Sequence, residues 1–457
     1  MTTKAVILAA GQGTRMRSSL PKVLHPLLGR PMLRYAIESA SQSTGSKPVL
    51  VVGQDARKVQ ELIGMDVDYV LQESQLGTGH ALLQAEGMLK GTTELLLVMT
   101  GDMPLLSPAT LEQVIDRHVE RQSRQQDKLL PITMLTVISA DSRGYGRVIR
   151  DANGEVQAVV EEADASPEQL GLNELNASVY CFDASWLWGA LPRLQRSAKG
   201  EYYLTDLVEI AVKDGHPVQA IQTSDPGEAI GINTRVHLAE AETVLRERVN
   251  RAFMLSGVTL IDPSTTYIEP TVEIGQDSVI WPNTYLQGET MIGEGCTIGP
   301  NSILRDTQVG DRSQIIASVL EAAIVEENVE MGPFAHLRKG AHLARGVHMG
   351  NFGEIKNSYL GPGVKMGHFS YIGDATIGAE TNIGAGTITC NFDGQKKHPT
   401  HIGEGAFIGS DTMLVAPVKL GEGSRTGAGS VVTKDVPPFS LAVGIPARII
   451  RKFRKDD

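Results

Sequence analysis

The chain is poor in cysteine, in excess positive charge and in long apolar runs, and each shortage excludes something. Three cysteines in 457 residues, Cys181, Cys296 and Cys390, are too few and too widely spaced for a disulfide framework or a zinc site. With 42 Lys and Arg against 53 Asp and Glu, the net charge is −11, which argues against nucleic acid as a partner. A few local cations or a metal could still hold a phosphorylated ligand. No apolar run approaches the roughly 20 residues that cross a bilayer. The first strand starts at about Lys4, which leaves no room for a signal peptide. The expectation is a soluble, cytoplasmic protein of two or three domains that binds neither nucleic acid nor membrane.

What is present first is "AAGQGTRMRSSLPK", residues 9–22, directly after the apolar run "AVILAA". A glycine-rich turn after a strand attracts phosphate when backbone N–H groups point outward from a helix start. The turn has no Gly-Lys-Ser/Thr, and Met16 stands where a dinucleotide fingerprint needs its third glycine. Up to about residue 235, short apolar stretches ("VLVVG", "YVLQ", "ELLLVM", "ITMLTV") alternate with amphipathic ones such as 107–120 and 184–194. That alternation predicts a mostly parallel, Rossmann-like α/β sheet covered on both faces, with ligands at the carboxyl ends of its strands. "VIRDANGEV" reads as a hairpin with Asn153 and Gly154 in a type I′ turn. Leu238, Ala241, Leu245, Val249 and Phe253 make 236–256 one amphipathic linker helix.

From 257 to 457 the grammar is a six-residue repeat. Ile274, Ile280, Leu286, Ile292, Ile298 and Leu304 form one run, and Val325, Met331, Leu337, Leu343, Met349 and Ile355 a second. Ile402, Ile408, Leu414 and Leu420, continued by Thr426 and Val432, form a third. Hexapeptide repeats build a left-handed parallel β-helix in which the aliphatic side chains fill a narrow core. At about 18 residues per coil there is room for roughly ten coils between 262 and 437. "ITCNFDGQKKHPTH" (388–401) interrupts the register, and its two lysines, asparagine and aspartate mark it as part of a site.

"LAAGQGTRM" with Pro21 and Lys22 resembles the sugar-phosphate nucleotidyltransferase signature, and "TGDMP" (100–104) that family's metal-binding strand end. With "GHFSYIGDA" and "NIGAGTITCNFDG" in the repeats, nearly the whole chain resembles the bifunctional N-acetylglucosamine-1-phosphate uridyltransferase/glucosamine-1-phosphate acetyltransferases of bacterial cell-wall synthesis. The resemblance implies acetyl transfer from acetyl-CoA to glucosamine-1-phosphate, then Mg²⁺-dependent coupling of N-acetylglucosamine-1-phosphate to UTP. It also implies a homotrimer. Leu8, Ala9, Ala10 and Gly11 would line the nucleotide, with Gly13, Thr14 and Arg15 at the triphosphate and Lys22 neutralising its charge. Gln72, Gly77 and Thr78 would recognise uracil. Thr100 and Gly101 match contacts beside Asp102, which with Asn233 would hold the metal. Gly146, Glu161, Asn176, Tyr203 and Thr205 match the acetylated-sugar pocket, although Glu162 stands beside Glu161.

For the second reaction, His368 matches the base that deprotonates the sugar amine, with Glu354 a candidate to orient its ring. Arg338, Lys356, Tyr371, Asn382, Asn391 and Lys397 match the glucosamine-1-phosphate pocket. Ala385, Asn391, Phe392, Ser410 and Ala428 match positions that touch acetyl-CoA. Phe392 replaces a tyrosine, and the terminal "AVGIPARIIRKF" looks like generic hexapeptide acyltransferases, with Arg448 or Arg451 available for the coenzyme. Two other readings compete. One is a glucose-1-phosphate nucleotidyltransferase with a regulatory β-helix, which would need neither a histidine base nor a lysine-bearing loop. The other is a non-catalytic scaffold or exchange-factor subunit, which could lose Lys22 and Asp102.

Overall fold

The computed structural model describes residues 1–124 and 129–454. It forms two compact units, Met1–Val244 and Leu245–Asp457. No helix is long and apolar enough to cross a membrane among the described residues.

The first unit is built on a nine-stranded sheet. The strand Thr3–Ala9 pairs in parallel with Val49–Val52 and Leu95–Thr100, and Val49–Val52 with Asp68–Leu71. Val6 and Leu8 enter the core on one face, while Ala5, Ile7 and Ala9 enter the core on the other. Alternate residues of a strand point to opposite faces, so a sheet covered on both sides needs an unbroken apolar run. The helices Met32–Thr44 and Pro108–Arg124 cover one face through Leu33, Ile37, Leu111 and Val114. Leu187, Trp188, Leu207 and Val208, from Ala184–Ala190 and Asp206–Lys213, cover the other.

Two local expectations need correction. The glycine-rich loop opens into a single 3-10 turn, Thr14–Met16, and the first long helix starts only at Met32, so the loop does not itself lead into a helix N-terminus. Met16 is buried, which is why it serves where a third glycine was missing. The hairpin forms from Arg147–Arg150 and Val156–Val160, but its turn is not type I′. Gly154 alone has positive φ, +81°, and its N–H donates to Asp151 O at 3.0 Å. That closes a type I turn followed by a glycine bulge, because Asp151 Oδ1 also accepts from Asn153 and Glu155 N–H. A long strand absent from the sequence reading, Glu174–Asp183, runs antiparallel between Leu95–Thr100 and Ile132–Ile138.

The helix Arg235–Leu255 belongs to neither unit alone, since the division falls inside it. Its first half is tied to the sheet unit by the Arg143–Glu240 ion pair at 2.8 Å and by buried Ala241. In its second half, Asn250 Nδ2 donates to the carbonyls of Pro263 and Thr266, and Val249 and Phe253 pack on the β-helix core.

The second unit is a left-handed parallel β-helix whose three faces are sheets of 12, 10 and 9 strands. All are parallel ladders except the terminal pairing of Ser440–Gly444 with Ala447–Lys452. Leu286 stacks on Leu304, then Leu320, Leu337, Ile355 and Ile372, each fully buried. Each such side chain removed from water contributes about 1.5–3 kcal/mol before the entropy of ordering the chain. Between the six-residue runs lie five-residue sides, Leu304 to Val309, Leu320 to Val325, Ile355 to Leu360 and Ile372 to Ile377. Their tight corners use Asp306, Ala322, Asn357 and Asp374 in the left-handed conformation.

Candidate active sites

The glycine-rich loop, the strand ends and the segment before the long helix enclose a cleft of about 610 Å³ at the carboxyl edge of the sheet. Leu8, Ala9, Ala10, Gly11, Gly13, Thr14, Arg15, Lys22, Gln72, Gly77, Thr78, Thr100, Asp102, Glu161, Tyr203 and Asn233 line it. Gly101 sits just beneath, its N–H donating to Leu8 O at 2.9 Å. Gly13 has φ +60° and a Cβ there would meet Lys22 Cβ at 2.5 Å, so glycine lets the loop close over the lysine.

The charges of the cleft converge. Lys22 Nζ donates to Asp102 Oδ2 at 2.5 Å and to Asn233 Oδ1 at 3.1 Å, and Arg15 donates to the same Asn233 oxygen at 2.9 Å. Burial would push the Asp102 carboxyl up, but the charge and hydrogen bond of Lys22, with help from Thr100, hold it below the usual carboxylate range. Two hard oxygen donors thus reach one cation-sized position. Among the described residues no group of three His, Cys, Asp or Glu could hold a metal unaided. A protein offering two oxygen ligands fits an ion that keeps waters and takes phosphate oxygens, so the unit is compatible with a metal-dependent reaction.

The pair is set by backbone. Ile232 N–H donates to Asp102 O at 2.9 Å. The Tyr145 hydroxyl donates to Ala229 O at 2.7 Å and accepts from Gly231 N–H at 2.5 Å. Tyr145 was not singled out from sequence, because nothing local announces a contact 86 residues away.

The two neighbouring glutamates separate cleanly. Glu162 turns away to Arg147 at 3.0 Å and Ser142 at 2.9 Å. Glu161 lines the cleft, accepts from Thr205 Oγ1 at 2.9 Å, and burial raises its carboxyl despite that bond. Thr205 therefore stands behind Glu161, off the wall. Asn176 is buried and gives its Nδ2 to the Tyr180 hydroxyl at 2.7 Å, while its backbone N–H donates to Gly146 O. Gly146 and Asn176 are thus joined to each other but do not line the cleft. Gln12, Gln75, Ser178 and Glu201 do line it and were missed. Ser178 reaches it from a bulge inside the strand, with φ +54°.

On the β-helix, Arg338, Glu354, Lys356 and Tyr371 share the ten-stranded face. Lys397 comes to Lys356 from the inserted loop. The Lys356 amine is held below the usual lysine value by its hydrogen bond with Lys397, then by the charges of Lys397 and Arg338. Asn391 donates to Asp374 at 2.6 Å, and a Cβ on Gly373 would meet Tyr371 Oη at 2.5 Å and Asn391 Nδ2 at 2.6 Å. Glycine therefore leaves room for the two side chains to converge. Asp393 shapes the loop by accepting from Gln395 and Lys396 N–H, both at 2.8 Å, and by pairing with His398 at 2.6 Å. Phe392 is exposed.

Within one chain, Glu354 and His368 do not meet. Glu354 accepts from Arg338 at 2.9 Å, and no hydrogen bond joins it to His368 among the described residues. His368 projects from the corner between Lys365–Met366 and Ser370–Gly373, whereas Glu354 lies in the strand on the face. Asn382 lies in a strand of the twelve-stranded face, away from the ten-stranded face that carries Lys356 and Tyr371. Ala385, Ser410 and Ala428 occupy the same corner as His368 in later coils. Backbone bonds stack these corners: Gly386 N–H to Phe369 O, Asp411 N–H to Ala385 O and Gly429 N–H to Ser410 O, at 2.6–2.8 Å.

Residues 5–133 match the MobA-like NTP transferase domain, and residues 271–306 and 399–434 match the bacterial transferase hexapeptide repeat. The chain is 47% identical over 443 residues to the bifunctional protein GlmU of Trichlorobacter lovleyi, covering 96% of this chain and 95% of that one. It is 46% identical to GlmU of an Exiguobacterium species, covering 96% of each. Against GlmU of Bacillus subtilis the figures are 44% over 454 residues, 99% of this chain and 97% of that one. Likeness of this extent runs through both units, and the chain belongs to the GlmU family, an N-acetylglucosamine-1-phosphate uridyltransferase joined to a glucosamine-1-phosphate acetyltransferase.

Proposed function

We propose that the cleft of the first unit is the uridylyl-transfer site, that Mg²⁺ is its metal, and that the cationic cluster and corner ridge of the second unit are parts of the acetyl-transfer site. The observation that carries the first assignment is the meeting of Lys22 and Arg15 with Asp102 and Asn233 beneath the glycine-rich loop. A phosphate oxygen of N-acetylglucosamine-1-phosphate attacks the α-phosphorus of UTP, forming one P–O bond as the bond to pyrophosphate breaks. Lys22 and Arg15 neutralise charge on the transferring and leaving oxygens, where preorganised cations count most. Asp102 and Asn233 would hold Mg²⁺, which would supply positive charge to screen the triphosphate. The backbone of Leu8–Gly11 with Gln72, Gly77 and Thr78 seats the uridine, and Glu161 and Tyr203 meet the sugar.

In the acetyl transfer, Lys356, Lys397 and Arg338 grip the sugar phosphate. Two lysines forced together are relieved by an arriving phosphate dianion, which supports a phosphorylated substrate over a neutral sugar. The sugar amine attacks the thioester carbonyl, His368 takes its proton, and the coenzyme thiolate leaves. Ala385, Ser410 and Ala428 give the pantetheine arm a smooth edge of small side chains. Since the corner ridge and the cationic face are distinct surfaces of one chain, a homotrimer that sets one chain's corner against another's face would complete the site. The three free cysteines are in keeping with a cytoplasmic protein.

The test is direct. Protein supplied with glucosamine-1-phosphate, acetyl-CoA, UTP and Mg²⁺ should yield UDP-N-acetylglucosamine, coenzyme A and pyrophosphate by mass. Omitting acetyl-CoA should stop the sequence unless the acetylated sugar phosphate is supplied. UDP-glucose formed from glucose-1-phosphate in preference would favour the single-activity nucleotidyltransferase instead.

A further inference from the structure

The sheet unit has a second chamber, of about 600 Å³, at the other end of the strand Leu95–Thr100 from the nucleotide cleft. That is the size of pockets that take small organic ligands. Leu95, Val119, Ala184 and Trp188 give it apolar walls; His118 and Asp183 share its polar lining with Glu94, Gln122, Ser185 and Lys90, whose ammonium is already paired with Glu86 at 2.7 Å.

His118 is only 1% exposed, and its neighbours fix its tautomer. The Thr133 hydroxyl donates to Gln219 Oε1 at 3.2 Å, so its oxygen accepts from His118 Nδ1 at 3.0 Å. With the Gln219 amide oxygen turned to Thr133, the proton sits on Nδ1 and the lone pair on Nε2. Burial lowers the ring to about 4, against a smaller opposing pull from Asp183, so it is neutral near pH 7. Among the described residues Nε2 has no hydrogen-bond partner, and it is not sealed in the core as His25 Nε2 is. It opens on the chamber. Asp183 Oδ1 serves the Ser185 hydroxyl and the Trp186 N–H, leaving Oδ2 with no donor among the described residues.

Two unsatisfied acceptors on a largely apolar chamber call for a ligand rich in N–H donors along one edge and apolar on its faces. We propose that this chamber is a binding site for a planar aromatic amine, separate from both active sites. Donors on the ligand's edge pair with His118 Nε2 and Asp183 Oδ2, and its ring lies against the Trp188 indole. A ligand with acceptors only would leave both groups unpaired and is disfavoured.

The probe is 2-aminobenzimidazole, titrated into the full chain by calorimetry and by indole fluorescence. A fragment of this size meeting both acceptors should bind with Kd of about 0.1–1 mM. Indene, the bicyclic hydrocarbon without N–H groups, should bind at least about tenfold more weakly, as should the probe to His118→Phe. Gly189 lines the chamber, and a Cβ there meets no atom within 4 Å, so Gly189→Phe should fill the space and abolish binding with the melting temperature unchanged. Saturating UTP should not displace the probe. The proposal is overturned by no binding at about 5 mM probe, by equal binding of indene, by displacement with UTP, or by binding that survives Gly189→Phe. The last variant decides the matter even if His118→Phe fails to fold.

Discussion

Lys22 and Asp102, 80 residues apart in the chain, form an ion pair of 2.5 Å, and Asn233 bonds the same ammonium from a third segment. Lys22 holds the two oxygens that the proposed Mg²⁺ site would use, so on that reading Mg²⁺·UTP would draw Lys22 from the carboxylate to the phosphates. Asp102→Asn removes the charge that draws the metal and keeps the shape. Uridylyl transfer should fall at least about 100-fold at fixed Mg²⁺, with part recovered by raising the metal. Acetyl transfer, which needs no phosphoryl stabilisation, should be unchanged in the variant and in EDTA. Equal loss of both activities to EDTA would refute the assignment.

The Lys356–Lys397 pair makes a different prediction. In the free protein the Lys356 amine is held low by its lysine neighbour. A phosphate dianion favours the ammonium, so binding glucosamine-1-phosphate should take up protons, and affinity should weaken as pH rises. Calorimetry in buffers of different ionisation heat reads this uptake. Lys397→Met should abolish most of the uptake and weaken binding by about tenfold or more.

Much of this architecture was legible from residue spacing, and the failures have physical causes. Ile280, Leu286 and Ile298 repeat every six residues because each fills one side of a coil. The count broke at Val309, Leu320 and Leu360, where a side is one residue shorter; the positive φ of Asp306 or Asn357 is not what sets this, since Asp277 and Asn283 take it inside six-residue sides. The strand Glu174–Asp183 hid because its bulge at Asn176–Tyr180 carries polar residues through the middle of the sheet. The nucleotide loop could be read because its residues are contiguous. Tyr145, Ser178 and the Glu161/Glu162 choice could not, since they depend on contacts between distant segments. Nor could spacing tell that Glu354 pairs with Arg338.

The helix Arg235–Leu255 bears on separability. A fragment ending at 235 discards Glu240 and Ala241, which are packed on the sheet unit. Residues 1–244 should therefore melt several degrees above 1–235, and both should retain some uridylyl transfer without acetyl transfer. Equal melting temperatures would mean that the first half of the helix contributes nothing to the sheet unit.

His118 sets an acid limit for the sheet unit. Its folded value of about 4 lies below the unfolded 6.5, so the unfolded chain binds the extra proton between these values. Stability is full above about pH 6.5 and falls as pH drops toward 4. Between pH 7 and 5 the loss from this group is about 2 kcal/mol. Denaturant unfolding of residues 1–244, followed by indole fluorescence, should show it in the wild type. His118→Gln should lose less over the same interval, and an unchanged pH dependence would count against it.

His368 is the residue on which acetyl transfer should depend most. It stands on the corner that continues through Ala385, Ser410 and Ala428, the ridge assigned to the acyl donor, and it follows Lys356 by less than one coil. A sugar ammonium cannot attack a thioester until it loses a proton, and general-base catalysis contributes about 10²–10⁴-fold. His368→Ala should lower acetyl transfer by that factor with little change in the KM for glucosamine-1-phosphate, because the phosphate is held by other side chains. The side chain is exposed, and the core aliphatics Met366 and Ile372 are untouched, so the melting temperature should stay within about a degree. Uridylyl transfer should persist, since its cleft lies wholly in the other unit. If Glu354 orients the ring from a neighbouring chain, Glu354→Gln should reproduce part of the loss. If its role is only to hold Arg338, the same change should raise KM and spare kcat. The within-chain Arg338–Glu354 bond favours the KM effect. An alanine variant that acetylates at the wild-type rate would remove His368 from the reaction altogether.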